Sequence, residues 1–467
     1  MSQATVVSAP GKVLIAGGYL VLDPAYSGVV VSTSSRFYTV IQQSSRGPNT
    51  IQVRSPQFDG STWIYSLDFS DSPTVQALEE NTSKNKFVHL ALQHTISLAC
   101  EVRGISAIQQ LFAPGLDIAI VGDNDFYSQR AQLATLNLPR TLSSLSSIQP
   151  FCPQGVTLSQ VHKTGLGSSA ALITSLVSAL LLRLEVIPPS ALSEDHGRDR
   201  HLAHNLSQFI HCLAQGKVGS GFDVFRGSPL MGDDSTRPTS ILPVVSPANS
   251  SWNHLVRPFQ LPPLTRLMLA DVDAGSDTPS LVGKVLAWRK NDPENANTVW
   301  TALDQLNQSL NPKSYTAIVK FISSLQPVQW TADPSFGNDE AEIAATFYHA
   351  HAISQEIRMK MKMMGELAGV PIEPHEQTEL LNECCSLAGV IGGGVPGAGG
   401  YDAVWLLVCE PEDCQPGQWP RERIEYVWSN YTKLDVSPLS AEESLAKGAR
   451  LESIDAIKGL RQAMQIL

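Results

Sequence analysis

The sequence predicts an α+β protein of two domains, and three observations carry that prediction. Apolar runs of strand length dominate the first part of the chain; helical patterns fall among them without strict β–α alternation; and 467 residues at 43% hydrophobic content can bury more than one core. Strands are expected at 5–16, 28–42, 50–53, 63–67 and 116–121, and helices at 85–101, 170–184 and 200–214, where apolar residues recur at helical spacing. Residues 229–252 are rich in Pro, Ser and Asn and lack periodicity, so they read as a linker. The expected domains are therefore 1–245 and 255–467. Beyond the linker, 265–272 reads as a strand, 279–289, 298–310, 312–325 and 340–367 as helices, and AVWLLV at 403–408 as an apolar strand. Residues 141–149, rich in Ser and Leu, read as an exposed loop, and no internal repeat is present.

Charge and cysteine content narrow the function. A net charge of −11 argues against a nucleic-acid or anionic-membrane surface, both of which want a basic face. The seven cysteines are odd in number and show no zinc-like spacing, which predicts reduced thiols in a cytoplasmic protein. Ser and Thr at 174, 175 and 178 and Arg183 interrupt the most apolar helix, so no membrane span is expected. The first residues show neither a signal peptide nor an Arg-rich presequence.

The chemistry concentrates in four glycine-bearing segments. Lys163-Thr164-Gly165-Leu166-Gly167-Ser168-Ser169-Ala170 joins two close glycines and two hydroxyls to the start of a long apolar helix. Glycines let successive N–H groups turn toward an anion, and the helix start adds the positive end of its dipole. The segment is neither a Walker A loop nor a dinucleotide fingerprint; a plain Gly/Ser cap on a core helix is the alternative. Near the N-terminus, Pro10-Gly11-Lys12 delivers one lysine into an apolar strand that Gly17-Gly18-Tyr19 breaks. A lysine in such a run is either a snorkelling edge residue or a cation aimed at a transferring phosphoryl group. Gly216-Lys217-Val218-Gly219-Ser220-Gly221-Phe222-Asp223 presents an aspartate on a glycine-rich turn, and Pro396-Gly397-Ala398-Gly399-Gly400-Tyr401-Asp402 runs into the 403–408 strand.

Together, SAPGKVLIAGGYLVLD, DNDFYSQ, KTGLGSSAA, AQGKVGSGFDV, DVDAGSDTPSLVGKV and PGAGGYDAV give the chain a resemblance, over nearly its whole length, to the eukaryotic-type phosphomevalonate kinases of the GHMP superfamily. The resemblance implies an N-terminal S5-domain-2-like α/β domain and a C-terminal ferredoxin-like domain. It also implies a cytoplasmic enzyme of the mevalonate route to isoprenoids and sterols, with ATP and Mg²⁺ as cofactors, phosphomevalonate as substrate and diphosphomevalonate as product. Under it, Lys12 and Asp223 are the catalytic pair. Lys163, Thr164, Gly165, Leu166, Gly167, Ser168, Ser169 and Ala170 form the phosphate loop, with Asn124 and Gln129 as candidates to face the nucleotide. Tyr19, Lys217, Ser220, Ser276, Thr278, Gly397, Gly399 and Gly400 are candidates for the substrate, an ST-turn being the alternative for Ser276 and Thr278.

Mg²⁺ prefers one or two protein oxygens, so Ser168 or Ser169 suits it; the superfamily's usual upstream glutamate has no counterpart in Cys212-Leu213-Ala214-Gln215. His204 and His211 share a helical face, yet no acidic or cysteine ligand at short spacing supports a metal there. A phosphomonoester acceptor with a second pKa of about 6 is already mostly anionic at neutral pH, so Asp223 reads as a positioning group for Lys12 and the acceptor more than as a base. After Asp223 the chain reads VFRGSPLMGDD, about three residues shorter before Gly-Ser than the family pattern, nearly one helical turn. A catalytically impaired binding protein on the same scaffold and a mevalonate kinase are the alternatives the sequence leaves open.

Overall fold

The computed structural model describes residues 4–23, 25–78, 84–193, 197–216, 240–252, 260–261, 264–272, 278–309, 338–410, 416–417, 419–446 and 448–465. Along the chain the strands are β1 (Thr5–Ala16), β2 (Val29–Gln43), β3 (Thr50–Arg54), β4 (Thr62–Asp68), β5 (Thr74–Ala77), β6 (Leu116–Gly122), β7 (Thr265–Val272), β8 (Val390–Gly394), β9 (Ala403–Cys409), β10 (Val436–Leu439) and β11 (Arg450–Leu451). They form a seven-stranded sheet, β11-β1-β2-β6-β3-β4-β5, and a four-stranded sheet, β10-β7-β9-β8. In the first, β3 and β6 run parallel and the other pairs antiparallel.

One face of the large sheet carries the helices Lys86–Arg103, Ser168–Arg183 and Arg198–Gln215. The Ser168–Arg183 helix lies between β1 and β2 and the other two helices, which is why it is apolar nearly all round. Ile173, Leu176, Val177 and Leu180 are buried there with Val7, Val31, Ile41, Ile96, Ile118, Leu206 and Ile210. The opposite face, with Val6, Tyr38, Val40, Ala119 and Val121, is covered by Phe151, Leu460 and Ala463.

The small sheet is antiparallel throughout. Counted in chain order its strands lie 4-1-3-2, the ferredoxin-like order the resemblance implies. Its core joins Met268, Ala270, Val404 and Leu406 to Leu380 and Leu381 of the His375–Cys385 helix and to Ile424 and Trp428 of the Pro420–Asn430 helix.

Three expectations change. The helix expected at 298–310 begins at Pro293, because proline fits the first helical turn and Asp292 accepts the Asn295 N–H at 3.4 Å. Residues 141–149 hold a helical turn, Leu142–Leu145, capped by the Thr141 hydroxyl on the Ser144 N–H; the Leu142 N–H donates to Glu425, which docks it on the second half. The C-terminal stretch does not stay with the small sheet: β11 pairs with β1, and the Leu460–Ala463 helix caps the large sheet. The helix expected at 312–325 and most of the 229–252 linker lie outside the described residues.

Asp125, buried after β6, ties these parts together. Its carboxylate accepts the Ser35 hydroxyl at 2.7 Å, the Ser440 N–H at 2.7 Å and the Ser440 hydroxyl at 2.8 Å. Burial pushes its pKa up, and these donors oppose the shift. Asp125→Ala should cost about 2–4 kcal/mol of stability in urea unfolding, since it strands the buried Ser35 hydroxyl and removes both Ser440 hydrogen bonds. A loss below about 0.5 kcal/mol would remove the carboxylate from this role.

Candidate active site

The phosphate-loop candidate takes the conformation its glycines predict. Gly165 and Gly167 both have φ +74°, and Gly167 is the left-handed residue that caps the Ser168–Arg183 helix. Ser168 and Ser169 are thus the first residues of a helix whose other end is held in the core. Thr164 and Leu166 anchor the loop from below. The fully buried Thr164 donates its hydroxyl to the Asp125 carbonyl and its N–H to the Phe126 carbonyl at 3.3 Å, and Leu166 is buried in the main cluster.

Lys12 lies against this loop. Its N–H donates to the Leu166 carbonyl at 2.9 Å, next to an irregularity in the β1–β2 register. A Cβ on Gly167 would sit 3.0 Å from the Lys12 Cε and 3.1 Å from its Cγ. The lysine stem therefore runs across the bare face of the glycine that starts the helix, which brings two of the separate sequence motifs into contact.

The DNDFYSQ segment braces the loop. Tyr127 and Lys163 form a β-bridge, and the Ser128 N–H donates to the His162 carbonyl at 3.0 Å. Asn124 donates to the Gln149 carbonyl at 2.9 Å and accepts the Cys152 N–H at 2.8 Å. Gln129 donates to the carbonyls of Asn124 and Tyr127, each at 3.0 Å. The structure thus shows both side chains holding their own loop in shape. Beside them, burial raises the Asp123 carboxyl to about 7, against the Arg36 N–H that donates to it at 2.7 Å.

The two remaining glycine turns that are described also meet. The buried Tyr19, at φ +62°, donates its hydroxyl to the Ala398 carbonyl at 2.6 Å. That bond commits the Tyr19 oxygen to the 396–400 turn. Gly397, Gly399 and Gly400 have φ of +67°, +80° and +95°, and a Cβ on Gly399 would strike the Ile372 carbonyl at 2.2 Å. A small cavity of about 40 Å³, room for a few waters, lies between Gly17, Gly18, Gly393, Gly397 and the buried Arg358–Glu373 pair.

Asp402, at the end of the same turn, faces Gly165, whose added Cβ would lie 3.5 Å from the Asp402 Cβ. Lys163 is exposed by area yet walled by protein: desolvation lowers its pKa, and Asp402 opposes the shift. The second half of the chain therefore closes one side of the loop. Ala170 is half-buried in the first turn of the helix.

Asp223, Lys217, Ser220 and Ser276 lie outside the described residues, as does the shortened 225–234 segment. Thr278 begins the Thr278–Asn291 helix, with its side chain undescribed.

Two residues were not assigned from the sequence. Asp402 stands in the PGAGGYDAV segment, where the glycines carry the stronger signal. The Ser169 hydroxyl lies 3.0 Å from Nε2 of His211, for which the sequence offers only a metal role that its spacing does not support. Its position four residues before Gln215, on the Arg198–Gln215 helix, is the available signal.

No protein-family model matches the chain. The chain is 36% identical over 458 residues to the phosphomevalonate kinase, peroxisomal, of Arabidopsis thaliana, covering 87% of this chain and 90% of the relative. It is 36% identical over 463 residues to the phosphomevalonate kinase of Aspergillus fumigatus, covering 88% of each. Among solved structures, it resembles Streptococcus pneumoniae phosphomevalonate kinase in complex with phosphomevalonate and AMPPNP, at a TM-score of 0.51 and 17% identity over 94% of this chain and 99% of that one. The chain belongs to the phosphomevalonate kinase family.

Gly167→Val tests the loop. A β-branched residue at φ +74° adds strain of about 1–2 kcal/mol and displaces the Lys12 stem. Affinity for AMPPNP, read by isothermal titration, should fall at least about tenfold while the urea transition stays cooperative. Unchanged affinity would exclude the loop from the nucleotide site.

Proposed function

We propose that Lys12 and the 165–169 loop carry out phosphoryl transfer from ATP to phosphomevalonate, giving diphosphomevalonate and ADP, the activity of the family to which the chain belongs. The single observation that carries the assignment of residues is the Lys12 stem lying across Gly167 at the start of the helix. A cation and a row of N–H groups converge there on the place an anionic phosphate would occupy. Phosphoryl transfer asks for alignment and neutralisation of charge more than for covalent chemistry.

In this reading the loop amides and the helix start hold the nucleotide phosphates, and Lys12 gathers charge on the transferring group. Mg²⁺ fits the donor set, because two serine hydroxyls stand at the first helical turn and hard oxygens are what the ion prefers. Ser168 or Ser169 would hold it, and it would supply charge neutralisation between the phosphates. The acceptor is a phosphate oxygen, largely ionised above its second pKa of about 6, so no residue has to remove a proton from it. Asp223 keeps the role the resemblance implies, orienting Lys12 and the acceptor. The turns at 17–19 and 396–400, locked by the Tyr19–Ala398 bond, are the acceptor side in this reading, and Lys217, Ser220, Ser276 and Thr278 keep the substrate roles the resemblance implies. The phosphomevalonate named for the Streptococcus structure agrees with this acceptor.

The described helices include none long and apolar enough to cross a membrane. Cys100, Cys152, Cys384, Cys385 and Cys409 are buried free thiols, which suits the cytoplasm proposed here, although the Arabidopsis relative is named peroxisomal.

Lys12→Met should lower turnover at least about a hundredfold, the range for losing one electrostatic stabiliser, with a much smaller change in ATP affinity. A near-normal rate would make Lys12 an ordinary strand residue. In a coupled ADP-release assay, phosphomevalonate should exceed mevalonate in kcat/KM by at least about a hundredfold, because the site's phosphate-binding groups are left unpaired by mevalonate. The rate should rise with pH through about 6, following the acceptor's ionisation. Preference for mevalonate, or a rate that follows a carboxylate near about 4, would overturn the acceptor assignment.

A further inference from the structure

We propose that His211 is a positioning residue for Ser169, and that it selects Ser169 over Ser168 as the hydroxyl presented to the nucleotide-bound cation. The proposal rests on the reading of the 165–169 loop as the nucleotide site. His211 is 2% exposed, near the end of the Arg198–Gln215 helix, and its Nε2 lies 3.0 Å from the Ser169 Oγ. The Gln215 Nε2, one helical turn on, lies 3.1 Å from the same ring nitrogen.

Nε2 carries either one lone pair or one proton, so it meets the Ser169 hydroxyl as acceptor or as donor. In either tautomer the Ser169 oxygen, held by the ring, keeps a lone pair for another partner, and a hard divalent cation is a partner of that kind.

The arrangement also accounts for the missing upstream carboxylate at 212–215. A direct acidic ligand is absent from that stretch, and the same helix instead orients a ligand carried by the loop. Neighbouring helices, through their shared core, keep the ring in place: His211 packs beside Phe87 of the Lys86–Arg103 helix at 6.2 Å between ring centres.

The test uses the full chain and AMPPNP, titrated calorimetrically in excess Mg²⁺ and again in EDTA. His211→Phe should weaken Mg²⁺-dependent binding about tenfold and alter metal-free binding less than about twofold, the size expected for an outer partner of a metal ligand. Ser169→Ala should do the same, Ser168→Ala should not, and His211→Phe with Ser169→Ala should be no worse than either alone. His211→Gln, which can place an amide oxygen near the Nε2 position, should recover most of the loss. Additive losses in the double variant, or equal losses with and without Mg²⁺, would overturn the proposal.

Should His211→Phe fail to fold, the wild-type chain decides. With ¹⁵N-labelled histidine, and His211 identified by comparison with His211→Gln, its Nε2 resonance should shift when Mg²⁺ is added to the AMPPNP complex. An unmoved resonance would overturn the proposal. Neither readout involves phosphomevalonate, so a chain that passes both and yet fails to turn over phosphomevalonate would defeat the proposed function and leave this inference standing.

Discussion

The site depends on a backbone-to-backbone approach: β1 packs directly against the phosphate loop with no side chain between them. The Lys12 N–H reaches the Leu166 carbonyl at 2.9 Å. A Cβ on Gly11 would lie 3.0 Å from that same carbonyl oxygen and 2.6 Å from the Thr33 Oγ1. Glycine at 11 and 167 is therefore what lets a strand and a helix start share one contact. The cation and the anion cradle are parts of one rigid unit, because the strand is paired on both sides and the helix is buried in the main core. Such preorganisation is what electrostatic catalysis needs, since donors already in place need no reordering as charge moves.

A second constraint fixes that unit within the protein. Asp125 spends its carboxylate on Ser35 and Ser440 and its carbonyl on Thr164, so a single buried residue connects β2, the stretch after β10 and the phosphate loop. Its neighbour Asp123 is raised to about 7 by the same burial. Two carboxyls in low-dielectric surroundings are costly unless hydrogen-bonded, and the Arg36 N–H, the Ser35 hydroxyl and the Ser440 N–H and hydroxyl all donate to this pair. The contact between halves is continued by Asp271 of β7, which meets Arg130 at 3.1 Å, and by Asp402 beside Gly165. The 163–169 loop and the segment that braces it are thus flanked by groups from both parts of the chain.

Much of this was legible in the sequence because it depends on local chemistry. The phosphate loop, the strand that carries Lys12, the long apolar helix and the 396–402 turn each announce themselves by glycine placement and periodicity. The positive φ angles at Gly165, Gly167, Gly397, Gly399 and Gly400 are the physical content of that signal. The β and helix expectations for the first half agree with the structure to within a few residues, since apolar period alone specifies which face is buried.

What only the tertiary structure decided is which polar atoms remain for a ligand. Asn124, Gln129 and Tyr19 carry suitable chemistry, but the Asn124 amide, the Gln129 amide nitrogen and the Tyr19 hydroxyl are drawn to carbonyls and an N–H in their own surroundings, a competition no composition reveals. His211 and Asp402 have no local pattern of their own; they matter because distant segments fold against Ser169 and Gly165. The same holds for the C-terminal stretch, whose two-residue β11 is too short to read and exists only because the edge of β1 offers unpaired backbone groups. By itself the sequence determined the local shapes that can cradle a phosphate, because backbone permissiveness and apolar period are local properties. The tertiary structure decided which side chains face that cradle, because hydrogen-bond partners are allotted only when distant segments meet.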